Sequence, residues 1–84
     1  MKFKICKVET FSSHSYPGRP NRFFYKGKWY KIDFIDDQWY EGGLDPERAL
    51  IHYYRVSSEE QFFLLRYLPY FQKWQILPVE DNFA

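Results

Sequence analysis

A single cysteine, Cys6, is all the thiol chemistry available to this chain of 84 residues. One thiol can neither close an intramolecular disulfide nor build a cysteine-based zinc site, so a disulfide scaffold is excluded and Cys6 reads as a small apolar residue of the first strand. No apolar run approaches the roughly 18 residues of a membrane span, and residues 1–7 lack the apolar centre of a signal peptide. A reducing, cytoplasmic setting without a membrane is therefore the expectation. Equally missing are a metal-ligand spacing, a phosphate-binding loop, an internal repeat and a low-complexity tract, so no cofactor is expected. His14 lies in a Ser/Pro/Gly loop and His52 in a strand, with no nucleophile motif around Ser12, Ser13 or Ser15; both read as ordinary histidines. Asp36 and Asp37 are neighbours, which a strand would point to opposite faces, so they do not read as a shared metal or proton site.

Aromatic side chains are abundant instead: nine Phe, eight Tyr and three Trp, most in short alternating runs broken by turn residues. That is the period of half-buried strands rather than helices. A domain this small buries only about 60% of the surface its unfolded chain exposes, and rings that each bury roughly 150 to 250 Å² compensate. Residues 1–84 are expected to form one domain.

Along residues 2–8, Phe3 and Ile5 share one face until Cys6 and Val8 take the opposite parity, which suggests a bulge near Cys6. Residues 12–21 are loop chemistry, stiffened by Pro17 and Pro20. The clearest hairpin follows: Phe23 and Tyr25 alternate, Lys26 and Gly27 turn, and Tyr30, Ile32 and Phe34 resume on the return. Ile35 and Trp39 break that parity, predicting a bend near Phe34 that curls the sheet. Asp45 and Pro46 are an N-cap and a first helical residue, giving one helical turn over residues 46–50. Residues 51–56 are a strand with either face available to the core. Residues 57–68 fit two patterns, a capping box at Ser58 and Gln61 or an alternating strand; apolar residues on both parities favour the strand. A last short strand holds Trp74, Ile76 and Val79. The fold class that results is all-β: five or six antiparallel strands in meander order, curling into a small, SH3-like, partly open barrel.

The net charge of +1 conceals a separation. Residues 1–32 carry eight cations against Glu9 alone, a net +7, whereas residues 33–84 carry four cations against ten carboxylates, a net −6. Cross-strand neutralisation between the halves is the simpler account, and a basic surface for a polyanion is the other. Arg22, Lys26, Lys28, Trp29 and Lys31 interleave basic and aromatic residues on the predicted hairpin. Cations there could neutralise phosphates while an exposed ring stacks on an unpaired base. The same residues could equally shield an edge strand from aggregation.

The spacing of Pro20, Phe23, Tyr25, Gly27, Tyr30 and Ile32, then Ile35, Asp36 and Trp39, then Tyr53, Tyr54, Arg55 and Val56, and finally Trp74, Ile76 and Val79 resembles a small uncharacterised bacterial β domain. That domain occurs alone or at the carboxyl end of proteins resembling Y-family translesion DNA polymerases. The likeness covers residues 20–81; the domain's pattern has Trp at the position of Tyr25, and a turn glycine where residues 57–61 hold none. It carries no catalytic residue, and it implies an association with DNA repair. The expectation is a non-enzymatic cytoplasmic binding module for single-stranded nucleic acid or a DNA-repair protein, touching its ligand through the basic hairpin. Its rival is a protein-interaction module that lends an edge strand or an exposed aromatic patch.

Overall fold

In a computed structural model that describes residues 2–11 and 18–79, strands hold most of the described residues and the only helical element among them is a short 3₁₀ turn. The strands are β1 (Lys4–Cys6), β2 (Val8–Phe11), β3 (Arg19–Tyr25), β4 (Lys28–Lys31), β5 (Phe34–Glu41), β6 (Ile51–Ser58), β7 (Gln61–Leu68) and β8 (Lys73–Val79). They make two antiparallel sheets, one ordered β1-β8-β7-β6-β5 and the other β2-β3-β4. The all-β, partly open barrel read from the sequence is thus the architecture found.

The strands number eight, more than expected, because two long segments each bend from one sheet into the other. At the first corner Cys6 pairs with Trp74 of β8, Val8 pairs with Phe23 of β3, and the Phe24 amide donates to the Lys7 carbonyl at 2.9 Å. The expected bulge near Cys6 is this change of sheet; the register shift itself falls later, between Glu9 and Thr10. At the second corner the Ile32 amide donates to Asn21 of β3 at 2.9 Å, while the next amide, Asp33, donates to Ser57 of β6 at 2.8 Å. Consecutive donors serving opposite sheets are what fold a twisted ribbon over on itself. This corner also corrects the expectation for Phe34: the bend precedes it, so its ring lies 69% exposed and Ile35 packs on the core instead.

The core lies between the sheets. Phe23 of the three-stranded sheet meets Phe63 at 4.9 Å and stacks on Tyr30 at 5.3 Å, and Tyr25 meets Phe63 edge-on at 5.6 Å. Val56, Tyr54, Leu65 and Ile76 complete it. Residues 51–58 therefore settle their open choice of face with His52, Tyr54, Val56 and Ser58 inward. In residues 2–8 the core parity belongs to Cys6 and Val8, whereas Ile5 is exposed and Phe3 lies under the Arg66 guanidinium at 3.7 Å.

The turns follow the residues. Lys26 and Gly27 both have positive φ, 50° and 83°, as a two-residue hairpin turn requires. Residues 61–68 are the strand that alternation favoured. The helical turn shrinks to a 3₁₀ turn, Pro46–Arg48, with the Asp45 carboxylate accepting from the Arg48 amide at 3.0 Å. Gly43 has to be glycine here, because a Cβ would sit 2.6 Å from the Arg48 carbonyl oxygen. Pro78 pairs with Phe63 of β7 near the end of β8, beyond the part of that strand that β1 covers. Among the described residues no helix is long and apolar enough to cross a membrane.

Candidate nucleic-acid interface

The three-stranded sheet turns one face to the core and the other to solvent. Strand alternation sends Phe23 and Tyr25 inward, so Arg22 and Phe24 must face out. Across the hairpin Arg22 pairs with Lys31 and Phe24 with Trp29, which lays a basic pair beside an aromatic pair on the outer face. The indole is 37% exposed and Phe24 is 37% exposed, with ring centroids 5.4 Å apart in an edge-to-face contact. The Arg22 guanidinium lies 4.6 Å from the Trp29 ring centre. Phe11, 55% exposed, extends the ring surface onto β2.

Of the five residues expected from the sequence, Arg22, Trp29 and Lys31 share this face. Lys26 stands at the hairpin tip with its ammonium 5.4 Å over the Tyr25 ring. Lys28 does not join them. It has the parity of Tyr30, over whose ring its ammonium lies at 4.6 Å, and it pairs with the Glu59 carboxylate at 2.9 Å. Arg22 is also held, donating from Nε and Nη2 to both Glu9 oxygens at 2.7 and 3.0 Å. That bond holds the Glu9 carboxyl below its ordinary pKa and raises that of Arg22. Arg22 thus serves as a fixed planar roof on the indole, and the charges left to meet an anion are Lys31, Lys26 and Lys7, whose carbonyl binds Phe24.

Phe11, Phe24 and Lys7 were not anticipated. Phe24 could have been: in the pair Phe23-Phe24 a strand must turn one ring outward. Phe11 and Lys7 come to this face only through the pairing of β2 with β3, which nothing local in the sequence encodes. Of the ion pairs among the described residues, Arg22–Glu9 and Arg48–Asp45 lie within one half, and only Lys28–Glu59 joins the two.

An open groove of about 1290 Å³ is lined by His52 together with Asp36, Asp37, Asp45 and Glu47. His52 is buried, which lowers its pKa, with a hydrogen bond to the Pro46 carbonyl opposing that shift. No Ser, Thr, Cys or Lys is among the described residues lining this groove. Asp36 and Asp37 sit in β5 at a register shift, and no group of His, Cys, Asp and Glu suited to a metal occurs among the described residues. His14 falls outside the described residues. Burial raises the Cys6 thiol to about 12 and the Tyr54 phenol to about 12, so neither is ionised near neutrality.

No known family, curated protein or solved structure matches this chain.

Proposed function

We propose that the protein is a non-enzymatic, cytoplasmic binding module that takes single-stranded nucleic acid on the outer face of β2-β3-β4. The observation that carries this reading is the solvent-facing pairing of cation and ring across one hairpin: Arg22 then Phe24 on one arm, Trp29 then Lys31 on the other, with Lys26 at the tip between them. Unpaired bases stack on such rings at about 1 to 3 kcal/mol each, with little regard to sequence. Lys7, Lys26 and Lys31 supply the phosphate contacts. The resemblance of residues 20–81 to a domain appended to translesion-polymerase-like proteins supports a place beside DNA repair.

Titration with single-stranded DNA and RNA oligonucleotides tests this by tryptophan fluorescence at several salt concentrations. Trp29 should be quenched, and three lysines predict a slope of about −2 in log affinity against log salt. Absence of binding at low ionic strength overturns the proposal. Binding unaffected by Trp29→Ala moves the site elsewhere and overturns it too.

A further inference from the structure

The open groove is lined by six successive residues of β5, Ile35, Asp36, Asp37, Gln38, Trp39 and Tyr40. Successive strand residues point to opposite faces, so a groove touching all six reaches both sides of β5 and passes along its hydrogen-bonding edge, while His52, Tyr53 and Tyr54 carry it onto the neighbouring β6. That edge belongs to β5, the end strand of its sheet, and no described strand pairs with its outer side. The groove is lined further by Gly18 and Arg19 at the start of β3 and by Asp45, Pro46 and Glu47 at the 3₁₀ turn. Four carboxylates thus line the groove with Arg19, and of the four Asp45 is already paired with Arg48 at 3.5 Å. Trp39, stacked on Tyr53 at 5.1 Å and 40% exposed, adds a ring face that attracts a cation.

From this geometry we infer that the β5 edge is a docking site for an extended, arginine- or lysine-rich peptide segment, which adds as a further antiparallel or parallel strand and sets its cationic side chains against Asp36, Asp37, Asp45 and Glu47. Charge complementarity selects the occupant: an acidic or neutral strand meets the same backbone without the carboxylate attraction, and a second β5 brings like charges together. The Asp37 carboxylate also guards the strand, accepting the Gln38 amide at 2.8 Å. A cationic side chain that engages Asp37 draws it from that amide and frees a donor for the incoming backbone, so the charge and the strand pairing are coupled. The site uses none of Arg22, Phe24, Trp29 and Lys31 and stands whether or not nucleic acid binds there.

The probe is an acetylated and amidated octapeptide of alternating Arg and Thr, titrated into the full chain at low salt and followed by amide chemical shifts. Shifts confined to residues 34–41 and the 3₁₀ turn are expected, with Phe24 and Trp29 unmoved. The same peptide N-methylated at alternate residues keeps every charge but loses its strand donors, and should bind roughly tenfold or more weakly. Asp36→Lys with Asp37→Lys should weaken the unmodified peptide by roughly tenfold while leaving oligonucleotide titrations unchanged. Equal binding of the N-methylated peptide, equal binding of a Glu/Thr octapeptide, shifts that map elsewhere, or no binding at all would each overturn the inference. So would slow hydrogen exchange of the 36–40 amides in the free protein, which would mean the edge is already paired.

Discussion

Two adjacent phenylalanines show how little the identity of a residue says without its parity. Phe63 is fully buried against the rings of Phe23, Tyr25 and Tyr30, while its neighbour Phe62 is half-buried beneath the Arg55 guanidinium at 5.0 Å. Phe63→Ala should cost about 3 to 5 kcal/mol, comparable to the whole stability of a small domain, and Phe62→Ala distinctly less. Urea denaturation of the two variants checks this, and equal losses would mean the core is misplaced. His52 gives the second prediction at this scale. Burial lowers its pKa below the ordinary 6.5, so the neutral imidazole is the form the fold prefers. The folded state then binds fewer protons than the unfolded chain. Its contribution is complete above 6.5 and is lost as pH falls through the lowered folded value. The urea midpoint should therefore decline from about pH 7 to pH 5, and His52→Phe should flatten that decline. Glu9, whose pKa lies below 4.5, adds its own loss only at lower pH, so the two are separable.

At the level of elements, the hairpin of β3 and β4 was fully legible, because alternation and a turn glycine agree. The turn between β6 and β7 was legible only as the favoured of two patterns, because the sequence offers Glu59 and Glu60 where the backbone takes φ of 50° and 64°. A left-handed conformation costs an ordinary residue roughly 1 to 2 kcal/mol. Tertiary contacts hold the turn regardless: the Glu59 carboxylate meets Lys28, the Glu59 amide donates to Asp33 at 3.2 Å, and the Ser58 hydroxyl donates to the Lys31 carbonyl at 2.6 Å. Glu60 takes no part in these contacts, so Glu60→Gly should relieve strain and stabilise the protein by about 1 kcal/mol, read as a higher urea midpoint at unchanged slope. A lower midpoint would mean that Glu60 is not strained. Elsewhere the strands were legible and their sheet was not. The bend was sensed from the broken parity at Ile35, but Phe34 was assigned to the wrong side of it. Whether a bend merely curves one sheet or passes the chain to another depends on where Asn21 and Ser57 offer carbonyls, which is long-range information. For the same reason the basic hairpin was visible as a ribbon, while the separation of Lys28 from Arg22, Trp29 and Lys31 needed the register.

For the molecule as a whole, the two corners make the sheets interdependent. Neither sheet owns a core: Phe23 and Tyr30 come from one, Phe63, Leu65, Val56 and Ile76 from the other, and each side is buried only by its opposite. The strands β1 and β2 add a covalent constraint, since seven residues of chain pair with β8 at one end and β3 at the other. Losing either sheet would expose the inner rings of both, which makes any half-folded state costly and unfolding a single cooperative event. The three tryptophans are placed to test this, because Trp29 reports on the three-stranded sheet whereas Trp39 and Trp74 report on the five-stranded one. Variants that keep Trp29 alone or Trp74 alone, with the others changed to Phe, should each unfold in one transition. Within each variant that fluorescence transition should coincide with the loss of strand signal in far-ultraviolet circular dichroism. A Trp29 transition that precedes loss of strand signal would mean that β2-β3-β4 detaches by itself. In that case the outer face proposed for nucleic acid would be a mobile platform, and binding to it would incur the ordering of a whole sheet; coincident transitions keep Phe24 and Trp29 rigidly presented, the condition under which stacking is most favourable.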